Sequence, residues 1–226
     1  MIEEKEIFNE VHGNISIVCP DDYVGADLAA VAGQAISNKA RSICVNPSKI
    51  ADMWPWLEKV KTKIIARFIV DGAINDNFMS KLSTEINTAF RDGADGAIIF
   101  MDVSRLRKFA AEVSSIRDDL FFNKSFGIGL DITKISAFDW ENLFGILKLI
   151  HADSLCLVFD NDTGNKSDFV GRVFAALNAN RNGWNGILNF MFGQNIMRID
   201  QTYRLIQQMM PDVISKTEFF IDTDIA

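Results

Sequence analysis

The chain has 226 residues, 48% of them hydrophobic and 23% charged, with a formal net charge of −7. Its length suits one large domain or two small ones, and its 18 Phe supply a packed core rather than a disordered segment. An acidic chain without a basic stripe predicts no nucleic-acid partner, and the lack of an apolar run of about 18 residues predicts no membrane span.

The chain begins with the acidic stretch MIEEKEIFNEVHGN, which has no apolar core and is not read as a signal peptide. Residues 1–12 are expected to form a short helical segment ahead of the first strand. Cys19, Cys44 and Cys156 are odd in number, far apart and without CxxC spacing. They predict a reducing, cytoplasmic setting with no disulfide framework and no zinc site.

Eight apolar runs then follow at the interval of βα units: ISIVCP (15–20), SICVNP (42–47), KIIARFIV (63–70), GAIIFMD (96–102), FGIGLDI (126–132), SLCLVFD (154–160), NGILNFM (185–191) and EFFIDTD (218–224). Each is short and nearly continuous in apolar character, as parallel strands buried on both faces are. Helical stripes separate them. Met79, Leu82, Ile86, Ala89 and Phe90 share one face of 78–92, with Gly93 where a C-terminal cap belongs. Ser136 with Asp139 resembles a capping box for a helix over 136–150, and a last helix over about 196–210 stops before Pro211. GADGAIIF (93–100) and HADSLCLVF (151–159) repeat one pattern, a small turn and Ala-Asp before a strand.

Eight strands alternating with helices predict an α/β fold, a single (β/α)8 TIM barrel over 1–226. An open doubly wound sheet is the alternative, disfavoured by the eightfold count and by the lack of GxGxxG after the first strand. The sequence ends directly after the eighth strand, so the last helix of a complete barrel is expected to be missing. Either residues 3–11 cover the outer face of strands eight and one, or a second subunit does, which predicts a homodimer.

Active sites of such barrels lie at the C-terminal strand ends. There the sequence delivers Cys19, Asp21 and Asp22 from strand one, Asn46 from strand two, and Arg67 and Asp71 from strand three. Strands four and five deliver Asp102 with Arg105 and Asp131 with Lys134. The last three deliver Asp160 and Asp162, Asn189 and Gln194, and Asp222 and Asp224. His12 and His151 precede strands and fall on the opposite rim, which argues against Ser-His or Cys-His catalysis. An Asp or Asn at a strand end is also an ordinary helix cap, the competing reading for these residues. Lys134 is the lysine just past a strand end. It is a candidate Schiff-base amine if desolvated, and a solvated ion-pair partner otherwise. No cofactor is predicted, although converging carboxylates would suit Mg²⁺.

RSICVNPSKI (41–50), KIIARFIVDGAINDNFMSKLSTEINTAFRDGAD (63–95) and, more weakly, GIGLDITKI (127–135) carry a family likeness. On these segments the chain resembles the deoxyribose-phosphate aldolases, class I aldolases on a TIM barrel. The resemblance spans roughly residues 26–100 and continues in outline beyond. It implies an aldolase-like lyase acting on a small aldehyde or sugar-phosphate-like substrate, with a Schiff-base lysine on strand six in a KTSTG-like segment. Here that position falls on Cys156 or on Asp160, depending on which end of HADSLCLVFDNDTG is matched. The family's second lysine falls near Asn189, its strand-four acid on Ala97 or Ile98, and its phosphate-binding Gly-Gly on FGQN, where Gly193 remains. Two readings follow. One is a lyase with a rearranged site, using Lys134, Asp131, Asp102 and Asp160 for chemistry and Arg67, Asn46, Asn189, Gly193 and Asp222 for substrate. The other is a barrel without catalysis that serves as a binding or structural protein.

Overall fold

The computed structural model describes residues 11–71, 76–136, 138–159, 166–184, 186–193 and 195–222. Eight strands occur where the apolar runs predict them: β1 (Ile15–Val18), β2 (Ser42–Val45), β3 (Lys63–Ile69), β4 (Gly96–Phe100), β5 (Ser125–Asp131), β6 (Ser154–Val158), β7 (Ile187–Met191) and β8 (Phe219–Asp222). Each pairs in parallel with its sequence neighbour, and β8 returns to β1 over Ile15↔Phe219 to Val18↔Asp222, closing the barrel. Between them run α1 (Ala26–Ser37), α2 (Ile50–Leu57), α3 (Asp76–Arg91), α4 (Val103–Lys108), α5 (Ala110–Leu120), α6 (Trp140–Leu149), α7 (Lys166–Asn182) and α8 (Ile196–Met209). No described helix is long and apolar enough to cross a membrane.

Continuous burial along the strands reflects two separate cores. Outward-facing residues such as Ile17, Ile43, Ile64 and Ile99 pack with helix residues Leu28, Met53, Ile86 and Leu147. A smaller cluster takes one residue from each of seven strands: Val18, Cys44, Ile65, Ile98, Cys156, Met191 and Phe220. This second cluster is the barrel interior, and β5 contributes glycines to it instead of side chains. A Cβ at Gly129 would stand 2.2 Å from the Phe100 ring, so the glycine gives Phe100 its place.

Helix boundaries follow local chemistry. Gly93, at φ 114°, ends α3, and a Cβ there would strike the Trp54 indole at 2.0 Å. The predicted capping box at Ser136 does not form. Asp139 makes no cap bond and pairs with Arg107 at 2.5 Å, so α6 starts only at Trp140.

The Ala-Asp repeat is a repeated strand pin. Asp95 Oδ2 accepts from Ile64 N at 2.9 Å, and Asp153 Oδ2 accepts from Phe126 N at 2.8 Å. Each carboxylate enters one strand and ties down the start of the strand before it. A third pin lies beside β1. Fully buried Ser16 and Ser42 donate to Glu218 Oε2 at 2.6 and 2.8 Å.

On the outer faces of β1 and β8, Ile15, Ile17, Phe219 and Ile221 are at most 3% exposed, and Val11 joins the same core. The expected helical segment 1–12 lies outside the described residues except for its end, where His12–Asn14 form a 3-10 turn.

Candidate functional site

The C-terminal strand ends share one local device. After β2, Asn46 Oδ1 accepts from Ser48 N and Oγ at 3.1 and 3.0 Å. After β4, Asp102 Oδ1 accepts from Ser104 Oγ at 2.5 Å and Arg105 N at 2.8 Å. After β5, Asp131 Oδ1 accepts from Thr133 N and Oγ1 at 2.9 and 2.6 Å. The motif Asn/Asp-x-Ser/Thr thus recurs as NPS, DVS and DIT, and in each case the acceptor caps its own turn. Asp102 is held below its ordinary pKa, first by the Ser104 hydroxyl and, against some desolvation, by the N–H and guanidinium of Arg105.

The other oxygens of Asp102 and Asp131 meet cations. Asp102 Oδ2 lies 3.3 Å from Arg105 Nε, and Asp131 Oδ2 lies 3.4 Å from Lys134 Nζ. Arg105 also donates to Val70 O at 2.8 Å, which ties the β4 turn to the end of β3. Both pairs line one cavity of about 270 Å³, walled below by Ile69, Phe100, Gly129 and Val158. The structure therefore brings Asp102, Arg105, Asp131 and Lys134 to one cavity, as strand-end counting could not establish. Lys134 is 69% exposed. It is a solvated ion-pair partner rather than a desolvated amine. Its turn is held from outside by Arg172 of α7, which donates to Ile132 O and Thr133 O at 3.2 and 3.4 Å. No sequence motif marks Arg172, because its role depends on where α7 packs.

The remaining predicted residues lie elsewhere. Arg67, 15% exposed, pairs with Asp21 at 2.5 Å. It lines a neighbouring cavity of about 560 Å³ beside α3, together with Asn46 and Ser48. Ile69 lines both cavities and stands between them. Asn189 is not a mouth residue. It is 5% exposed, and its Oδ1 accepts from Glu218 N at 2.9 Å, toward the N-terminal end of β8. Gly193 takes φ 55° just after β7, and its carbonyl accepts from Asp222 N at 3.3 Å. Asp160, Asp162, Gln194 and Asp224 lie outside the described residues.

Inside the barrel, Cys156 of β6 stands in register with Asn189 of β7, with Val158 and Met191 above them; these are positions at which the resemblance calls for lysines, and the alternative on β6, Asp160, lies outside the described residues. The chain has no lysine between Lys148 and Lys166, and none between Lys166 and Lys216. Cys19 and Cys44 are buried, and the pKa of each thiol is raised. Burial pushes Cys19 up to about 11, against the pull of Arg67, and pushes Cys44 up to about 12. An acidic Mg²⁺ site is not assembled among the described residues, where no three His, Cys, Asp or Glu side chains group around a common point.

No protein-family model matches the chain. No curated protein matches it by sequence. Its fold matches solved structures. A candidate deoxyribose-phosphate aldolase of Toxoplasma gondii superposes with a TM-score of 0.78 at 14% identity, covering 100% of this chain and 94% of that one. The deoxyribose phosphate aldolase of Aeropyrum pernix, a tetramer, gives 0.72 at 12% identity over 96% and 91%. The candidate copper homeostasis protein CutC of Streptococcus agalactiae gives 0.66 at 10% identity over 94% and 99%. The chain thus has a deoxyribose-phosphate-aldolase-like TIM barrel fold. At these identities the likeness concerns the fold.

Proposed function

We propose that this barrel binds a small hydroxylated anion of the sugar-phosphate kind in the cavity above β3–β6, without the Schiff-base cleavage that a β6 lysine would supply. The observation that carries this reading is the pairing of Asp102 with Arg105 and of Asp131 with Lys134 on one apolar-floored cavity of about 270 Å³. The cations suit a phosphate or carboxylate, the carboxylates suit hydroxyl groups, and Phe100, Ile69 and Val158 suit a carbon skeleton. The aldolase-like fold supports the substrate class. Three buried cysteines that form no disulfide fit a reducing, cytoplasmic setting.

A second reading, a lyase with a relocated amine, is favoured by one observation: Lys134 lies on this cavity with the Asp131 carboxylate 3.4 Å away to move a proton. Reduction with borohydride in the presence of small aldehydes, followed by mass spectrometry, separates the two. Binding alone predicts no adduct on Lys134, no deoxyribose-phosphate cleavage, and thermal stabilisation by sugar phosphates that Arg105→Ala weakens. A Lys134 adduct, or turnover of about 1 per second or faster, would replace the binding reading with the lyase. No stabilisation by any sugar phosphate and no adduct would defeat both.

A further inference from the structure

The end of the barrel opposite the mouth carries a second concavity, of about 660 Å³, among the loops entering β1, β2, β3 and β8. Lys39, Arg41, Lys61, Lys63 and Lys216 line it, against Glu218 as the one carboxylate on its described wall. The chain as a whole has 23 Lys and Arg against 30 Asp and Glu. An excess of five cations over one anion on a single wall therefore runs opposite to the composition. We propose that this opening is a binding site for a polyphosphate, a compound with a chain of two or more phosphates.

The bland explanation for cations on this rim is compensation of helix C-terminal dipoles, an effect that fades within the last turn. It accounts for Lys39, two residues past α1. It does not account for Lys63, which lies on β3, or for Lys216, seven residues past α8. Nor are these charges spent on acids. Among the described residues, Lys39, Lys61, Lys63 and Lys216 make no ion pair within 4.0 Å. Glu218 turns its Oε2 to Ser16 and Ser42. Arg41 is held in place by the carbonyls of Thr217 and Ser215, so its guanidinium is pre-positioned. Four lysines and a fixed guanidinium on one concave wall suit several phosphates rather than one. Ile36 and Val60, 40% and 38% exposed on the same wall, offer an apolar edge for an organic body.

Titration calorimetry on the full chain tests this with ATP, inorganic triphosphate and AMP, at about 20 and about 500 mM salt. ATP and inorganic triphosphate should bind, and AMP should bind at least about tenfold more weakly. High salt should weaken both polyphosphates. Tighter binding of ATP than of triphosphate assigns the Ile36–Val60 edge to an organic body, and equal binding assigns the site to the phosphate chain alone. Lys61→Ala combined with Lys63→Ala should cost at least about tenfold in affinity while leaving the circular dichroism and melting curve unchanged. Lys108→Ala, which lines neither opening, should leave binding intact. No binding of either polyphosphate, binding unaffected by the double substitution, or an equal loss of binding in Lys108→Ala would each overturn the proposal.

Discussion

At the N-terminal end of the barrel, Asp95 and Asp153 reach backbone N–H groups 31 and 27 residues away on the preceding strands, and Glu218 accepts from serines 202 and 176 residues away. At the mouth, Asn46, Asp102 and Asp131 accept from groups two or three residues along. Asp95, Asp153 and Glu218 thus tie strand to strand at one end, while Asn46, Asp102 and Asp131 fold their own turns at the other. Long-range ties at the mouth come instead from arginines: Arg67 to Asp21, Arg105 to Val70 and Arg172 to Ile132. A carboxylate that holds a barrel shut cannot be released to a ligand without cost. One that caps a turn with one oxygen keeps the other for a cation or a substrate.

This contrast orders the expected effects of substitution. The largest belongs to Glu218. Glu218→Ala removes the acceptor of two buried hydroxyls and should cost about 3 kcal/mol in guanidinium unfolding, with Glu218→Gln recovering about half. A loss below about 0.5 kcal/mol would show that this end is not stapled there. Next come Asp95→Ala and Asp153→Ala, at about 2 kcal/mol each, because a charge-assisted bond to a backbone N–H is lost in each. Their effects should add in the double variant, since they pin different strand pairs. Coupling between them would mean that the pins act as one ring.

The mouth should respond more weakly. Asp102→Ala loses a helix cap and should cost about 1 kcal/mol. Because folding lowers the Asp102 pKa, its contribution is present above the ordinary carboxylate value and is lost as pH falls through the lower folded value. The gap between wild type and Asp102→Ala should therefore close toward acid pH. A gap that stays constant would refute the cap assignment. The smallest effect concerns the thiols. Cys19 and Cys44 should resist disulfide-exchange reagents at neutral pH until the protein unfolds. Their raised pKa values should lower stability as pH rises above about 9, where the unfolded thiols ionise and the folded ones do not. Rapid labelling of native Cys44 would contradict its place inside the barrel.

The strands were legible because parallel strands buried on both faces leave unbroken apolar runs, and eight such runs appear in order. The Ala-Asp repeat was legible as a pattern, though its purpose as a strand pin was not. Capping was the competing reading for an Asp or Asn at a strand end, but the shared pattern of NPS, DVS and DIT emerged only from the hydrogen bonds. Asn189 stands opposite Cys156 within the barrel and accepts from Glu218 N, a contact that its place in the chain does not reveal. The boundary of α6 was misread because Asp139 serves Arg107 from a distant helix.

By itself, then, the sequence determined the eightfold alternation, the apolar interior without a lysine on β6 or β7, and the turn chemistry at the strand ends, all governed by periodicity and by contacts a few residues long. Only the tertiary structure decided which strand-end residues share a cavity. It set Lys134 in solvent beside Asp131, and it gathered Lys39, Arg41, Lys61, Lys63 and Lys216 at the opposite opening. Those relations join residues tens to hundreds of positions apart. Barrel closure and strand register create them, and no local pattern encodes either.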